Sequence, residues 1–263
     1  MASVEVLRAH TLSLTGEAIL KAIAEAARLA GDEVIEVPAY RGESDWLILY
    51  GVGAPPNDTA RKSQIARGGR VLHWDLGYFD RKKVEGHARM AIDSDHPQDW
   101  LDRTPADPER WAARGVELRC DSNPAGPVVL VGLGRKSRAY LGAERWEQET
   151  HARLRARFPG RRIIFRPKGR DSMRLKCEAD STTPISDLLR GASLVVCRHS
   201  NVAVDATIAG VPFEAEDGAA MWLQQRAFTP ANRLEFLQRL AWWQWRTDEA
   251  EEAWAFAKRM MST

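Results

Sequence analysis

Cysteine is scarce in this 263-residue chain, and its three copies, Cys120, Cys177 and Cys197, stand far apart. No two share the spacing of a metal-ligand or redox pair, so the thiols read as reduced and a disulfide framework is excluded. Long apolar runs are missing as well. Nowhere do about eighteen apolar residues follow one another, which excludes a membrane-spanning helix. The opening MASVEVLRAH has neither the apolar core nor the cleavage site of a secretory leader, and the expected location is the cytoplasm. An excess of either charge is nearly absent: 38 Lys and Arg against 36 Asp and Glu leave a net +2, too little to demand a polyanionic partner. There are no repeats and no low-complexity segments. No His-Glu-x-x-His occurs, and the Asp-x-Asp letters at 93–95 precede His-Pro in a loop, so no essential metal is expected.

What is present is an ordinary globular composition, 44% apolar and 28% charged. Ile19, Ala22, Ile23, Ala26 and Leu29 share one helical face, closed by Gly31. EVIEV (33–37), WLILY (46–50), RVLHW (70–74), PVVLVG (127–132), RIIFR (162–166) and SLVVC (193–197) read as strands. Runs apolar on both faces and separated by helices imply an α/β protein with parallel sheets covered on both sides. A Pro-, Asp- and Gly-rich stretch before residue 127 separates the two sets, so the predicted domains are residues 1–122 and 123–263. Two helices are predicted near the end, ANRLEFLQRLAWWQW and TDEAEEAWAFAKRMM, with Thr247 as N-cap of the second. Trp242, Trp243 and Trp245 are expected mainly in a core, an aromatic platform for bases or sugars being the alternative.

Four stretches carry chemistry. After the strand ending at Cys197 come Arg198, His199, Ser200 and Asn201, then the small-residue helix VAVDATIAG. In an open α/β sheet ligands sit beyond the carboxyl ends of strands, and a helix start there suits a phosphate. Ser200 and Asn201 either cap that helix or reach the ligand, and Asp205 stands where a carboxylate could accept from a ribose. VVLVGLGRKS places Gly132 and Gly134 after a strand, followed by Arg135, Lys136 and Ser137, a loop that backbone or phosphate could approach closely. Basic residues crowd from Arg153 to Lys176 against the single Asp171. Of these, Arg161, Arg162, Arg170 and Arg174 are candidates for a nucleic-acid backbone, a solvated helix face being the plainer reading. In LHWDLGYFDR, Asp75 opens a turn at a strand end, where a carboxylate of raised pKa would serve as a general base. His73 is the second candidate and Asp95 with His96 the third.

Asp205-Ala206 followed by Gly210-Val211-Pro212 resembles the acidic-Ala-x-x-x-Gly-x-Pro segment of GT-B glycosyltransferases, with Asp where many have Glu. IIFRPKGR is similar to the RPHPR-type segment of capsule polysaccharide and Kdo transferases, Arg166-Pro167-Lys168 standing in place of the His-Pro pair. NRLEFLQRLAWWQWRTDEAEEAW resembles the closing segment of capsule-type and short phage-encoded relatives, and RGGRVLHWDLGYFDR a Gly-Tyr segment of the latter. The resemblance implies a GT-B-like fold of two Rossmann-like domains about a cleft, with the last helices crossing back. It implies a nucleotide-activated sugar as substrate, bound in the C-terminal domain by Gly132, Gly134, Arg135, Arg166, Lys168, His199, Ser200, Asn201 and Asp205, with no separate cofactor. The N-terminal domain would take the acceptor and supply Asp75 as base. The acceptor is read first as a hydroxymethylated pyrimidine in phage DNA, in the host cytoplasm. A surface or capsule glycan acceptor and a non-catalytic nucleic-acid-binding protein are the alternatives.

Overall fold

The computed structural model describes residues 1–8, 13–51, 55–81, 86–169 and 173–262. In chain order the elements are β1 (Ser3–Leu7), α1 (Leu14–Leu29), β2 (Glu33–Val37), β3 (Trp46–Tyr50), α2 (Pro55–Ala66), β4 (Arg70–Leu76) and β5 (Ala88–Ile92). Then follow α3 (Pro108–Ala112), β6 (Val128–Val131), α4 (Arg135–Leu141), α5 (Trp146–Arg157), β7 (Ile163–Arg166), β8 (Glu178–Ala179) and α6 (Ile185–Leu189). The remainder are β9 (Leu194–Cys197), α7 (Val202–Ala209), β10 (Phe213–Ala215), α8 (Met221–Gln224), α9 (Pro230–Leu240), β11 (Gln244–Trp245) and α10 (Ala250–Ser262). Among the described residues no helix is long and apolar enough to cross a membrane.

The chain divides into two compact units, Met1–Pro105 with Leu240–Thr263, and Ala106–Arg239. The division falls upstream of the expected 122/123 boundary for a visible reason. Arg119 and Asp121 donate backbone N–H groups to Ile208 and Ala209 at 2.8 Å, and Gly191 donates to Asp121 at 2.8 Å. The buried Arg233 guanidinium also holds the Arg119 carbonyl at 2.7 Å. The stretch 106–122 is thereby bound into the second unit.

The first unit is built on a sheet of order β11-β5-β4-β3-β1-β2. β1 to β4 are mutually parallel; at one edge β5 pairs antiparallel with β4, and β11 pairs antiparallel with β5. α1 begins where the Ser13 hydroxyl accepts from Gly16 N at 3.1 Å and ends before Gly31, which takes φ +81. It buries Ile19, Leu20, Ile23, Ala24, Ala26 and Ala27, each isoleucine contributing roughly 2 kcal/mol. Leu29, expected on that face, is 65% exposed because the buried stripe runs through Ala27 instead. β1 lies inside the sheet, between β3 and the edge strand β2, despite a charge in its middle. The buried Glu5 carboxylate accepts from Arg41 N at 2.7 Å and Gly42 N at 3.2 Å, so the charge is satisfied by loop amides.

Residues 240–262 complete this unit. Trp254 Nε1 donates to Asp32 at 2.7 Å, and Lys258 pairs with the same carboxylate at 2.8 Å. The helix expected through Trp245 stops at Leu240, and Gln244–Trp245 add as β11 to β5. That break turns Trp242, Trp243 and Trp245 about Phe256, with ring centroids 5.2, 5.2 and 5.8 Å away. The core reading of these tryptophans therefore holds. The expected Thr247 cap is displaced by one residue: Arg246 N donates to Glu249 at 2.8 Å, and α10 begins at Ala250.

The second unit carries a wholly parallel five-stranded sheet, order β10-β9-β6-β7-β8. The chain winds outward from β6 through β7 to β8, then returns to lay β9 and β10 on the other side. The direction of winding thus reverses between β6 and β9. The core beneath includes Val128, Leu130, Leu154, Ile163, Phe165 and Val196.

Candidate active site

In an open parallel sheet, the place where winding reverses leaves a crevice beyond the carboxyl strand ends. In the second unit that crevice is flanked by residues 132–134 after β6 and residues 198–201 after β9, with Pro167-Lys168 after β7 alongside. The end of β9 shows what charge converges there. Burial pushes the Cys197 thiol up to about 12, and Asp217, Lys168 and Asp205 all act on it electrostatically. These three charged groups come from three different segments, Lys168 from the loop after β7, Asp205 from α7 and Asp217 from the loop after β10.

The two glycines do different work. Gly132 is buried, its N–H donates to the Arg166 carbonyl at 2.9 Å, and a Cβ on it would come within 2.9 Å of the Phe165 ring. It is glycine because β6 and the β7 aromatic need that space. Gly134 instead leaves its Cβ position open, the nearest heavy atom being Lys168 Cδ at 4.0 Å. Backbone can be approached closely there, beside an exposed ammonium. Arg135 is exposed on the following turn. Arg166 is committed inside the protein, its guanidinium donating to the Asp180 carbonyl at 3.0 Å with the Asp180 carboxylate at 3.8 Å.

On the β9 side, His199 adopts φ +47, uncommon for a residue with a side chain. Its N–H donates to the Asp217 carboxylate, which also faces Arg198 at 3.7 Å. Its ring lies 5.7 Å from that of Tyr140 on α4, so the two sides of the reversal point touch here. Ser200 Oγ is 3.4 Å from Val202 N, long for a cap, and Asn201 makes no side-chain cap although it holds the N-cap position. Asp205 is half-buried in the first turn of α7, the end of a helix that favours negative charge.

The basic segment is largely tied up. Arg161 donates to the Pro124 and Gly126 carbonyls at 2.6 and 3.0 Å, and Arg162 donates to Glu178 at 2.7 Å. Arg157 pairs with Glu214 and Arg153 with Glu216. Arg174 is exposed, and Arg170 lies outside the described residues. The carboxylates that neutralise the stripe lie beyond residue 176, which is why the local sequence reads as unbalanced.

In the first unit, Asp75, the last residue but one of β4, pairs with Arg89 on β5. Its Oδ2 accepts from Arg89 at 2.9 Å and its Oδ1 from Leu76 N at 2.7 Å. Burial, the largest single influence, pushes its carboxyl up, but Arg89, His73 and the Leu76 amide together hold it below the usual range. That corrects the expected raised pKa: Asp75 is ionised at neutral pH and is a weaker base than anticipated. Arg89 also reaches His96 Nδ1 at 2.7 Å, and the Tyr78 hydroxyl meets the same nitrogen at 2.9 Å. His96, an alternative base from its letters, is thus a buried member of this network. His73 is buried in β4 and neither ring nitrogen has a hydrogen-bond partner. Winding in this sheet reverses between β1 and β3, and the Tyr50 ring at the end of β3 packs against the first turn of α1: a Cβ on Gly16 would lie 2.8 Å from it.

Solved structures of Thermosulfurimonas dismutans KpsC share this architecture. Its β-Kdo 2,7 transferase superposes with a TM-score of 0.53 at 14% identity, covering 98% of this chain and 100% of that one. Its β-Kdo 2,4 transferase gives 0.51 at 11% identity, covering 90% and 89%. The fold is of the GT-B type. No family model and no curated protein matches the sequence. The GT-B fold accounts for the return of residues 240–262 to the first unit, as the resemblance implied. It also sets the expected donor residues Gly134, Lys168, His199 and Asp205 at the carboxyl edge of the second sheet. Sequence reasoning missed Arg89, Tyr140 and Asp217. Only Asp217, next to Gly218 after a short strand, carried a local signal.

Proposed function

We propose that the protein is a glycosyltransferase that moves a sugar from a nucleotide-activated donor to a hydroxyl group of a glycan. The observation that carries this reading is the reversal point of the second unit, where Gly134 leaves its Cβ position open with Lys168 Cδ the nearest heavy atom at 4.0 Å. The donor is therefore assigned to the second unit. Lys168, with Arg135 and the His199 ring, would meet the donor phosphate, and Asp205 would accept from the ribose. In an inverting displacement the acceptor oxygen bonds to the anomeric carbon as the bond to the phosphate oxygen breaks. Asp75 takes the acceptor proton, and the nucleotide leaves as an anion held by Lys168. Stabilising that anion is the main catalytic contribution. Fixed cations serve this purpose, so the reading needs no metal, and turnover is expected to persist in EDTA.

A glycan acceptor is favoured by the two KpsC structures, which are named as Kdo transferases. A DNA acceptor has less to draw on, because Arg161 and Arg162 already have partners. The test is incubation of the protein with pooled nucleotide sugars and two acceptor sets, bacterial glycans and DNA containing hydroxymethylpyrimidines, followed by mass spectrometry. A glycan heavier by one sugar, with at least ~10²-fold lower rate in Lys168→Ala, is the expected result. A heavier nucleoside instead moves the acceptor to DNA. No transfer and no nucleotide binding ends the enzyme reading.

A further inference from the structure

The loop that carries Gly134 is held by a charged pair that no donor needs to touch. Glu147, on the first turn of α5, is wholly buried. Its Oε1 accepts from Leu133 N at 3.0 Å and from Arg138 Nη2 at 2.8 Å. The same Arg138 nitrogen donates to the Leu133 carbonyl at 3.1 Å. One carboxylate and one guanidinium thus satisfy both backbone polar groups of the residue between Gly132 and Gly134. The second carboxylate oxygen of Glu147 is buried without a partner. Burying an ion pair is costly, and an incompletely bonded carboxylate more so, whereas an apolar pair would pack a plain β–α turn at least as well. The arrangement has a positional consequence. Gly132 N is taken by Arg166 O and Leu133 N by Glu147, so the turn is pinned on both sides of Leu133 and Gly134 is left open beside Lys168.

We propose that Glu147, acting with Arg138, is the positioning residue of the nucleotide site: it fixes Leu133 so that Gly134 keeps its place against Lys168. The proposal rests on the donor being bound by the second unit. It makes Glu147 a determinant of donor affinity without donor contact.

The test combines two readouts on the intact chain. Titration calorimetry with uridine, cytidine, thymidine and guanosine mono- and diphosphates gives affinity, and amide hydrogen exchange at Leu133 gives the state of the turn. Glu147→Ala is expected to accelerate exchange at Leu133 and weaken nucleotide binding by roughly tenfold or more, the scale on which metal sites respond to loss of a residue that orients a ligand. Glu147→Gln retains an acceptor oxygen for Leu133 and is expected to recover most of the affinity, and it serves also if the alanine variant does not fold. Leu154→Ala, a wholly buried position of the same helix, lowers thermal stability but leaves affinity unchanged.

Affinity unchanged in both Glu147 variants while Leu133 exchanges faster would reduce the pair to a structural brace and overturn the proposal. Equal losses of affinity in Leu154→Ala would overturn it as well. If the wild type binds no nucleotide, the donor reading falls and the role of Glu147 falls with it. Slow exchange at Leu133 in that wild type would show that the clamp itself exists, which separates the two failures.

Discussion

Asp75 and Arg89 face each other across the β4–β5 ladder, and their side chains close to 2.9 Å. The guanidinium is buried, with 6% of its side chain exposed, and the carboxylate retains 31%. Asp75→Ala takes from the buried guanidinium its 2.9 Å carboxylate partner, and is expected to cost about 3 kcal/mol in urea unfolding, the low end for a broken buried pair. Asp75→Asn fits the same space. It should lower turnover by roughly 10²-fold or more while the chain stays folded. Full turnover in the asparagine variant would remove Asp75 from the role of base. Because the folded carboxyl titrates below its ordinary range, the stabilisation from this pair is present above that range and is lost as pH falls through the folded value.

His73 gives an acid-sensitivity prediction of the same sign through a different cause. Burial lowers its imidazole to about 4, Asp75 opposing and Arg89 assisting. The folded state therefore loses stability as pH falls from the ordinary histidine value near 6.5 towards 4, by about 3 kcal/mol over that interval. His73→Leu should flatten this part of the stability profile, measured by urea unfolding at several pH values. A profile as steep as that of the wild type would show that another group titrates.

At His199 the backbone and the ring make separable contributions. The φ of +47 suits glycine. His199→Gly is thus expected to stay within about 1 kcal/mol of wild-type stability, while nucleotide affinity falls because the ring beside Tyr140 is gone. His199→Val, β-branched in the same conformation, should lower the melting temperature. Unchanged nucleotide affinity in the glycine variant would leave the ring without a part in donor binding.

Asp217 should behave oppositely to Asp75. Burial raises its carboxyl, with His199 and Arg198 opposing and Glu216 assisting. The ionised form is the costly one in the folded state, so relative stability is greatest in acid and declines as pH rises through the folded value. Asp217→Asn retains an oxygen for His199 N. It is expected to stabilise the protein at pH 7, with the gain fading as pH drops into the ordinary carboxyl range. Thermal melts at pH 7 and pH 4 check this, and a larger gain in acid would contradict it.

Legibility followed locality. Strands such as WLILY and SLVVC announce themselves because both faces are buried and every residue agrees. β1 does not, since Glu5 interrupts it and is satisfied by amides 36 and 37 positions away. β5 carries Arg89 for a similar reason, its partner lying on β4. The glycine loop and His199 were visible because turn geometry and strand ends leave marks on neighbouring residues. Glu147 was not, since its partners, at 133 and 138, precede it across a turn that looks like any other. The basic stripe looks unbalanced for the same reason, since its partners Glu178, Glu214 and Glu216 lie beyond it in the chain.

The excursion of the chain out of the first unit at residue 105 and back at 240 sets an order of assembly. On a ribosome the second unit has all its strands before the first has its own last strand. Until Trp243 and Trp254 emerge, the sheet edge at β5 and the buried side of α1 wait without their covering, for the time it takes to make more than a hundred residues, roughly ten seconds. The half of the protein encoded first is thus the half completed last, and it is the one most exposed to aggregation or proteolysis during synthesis.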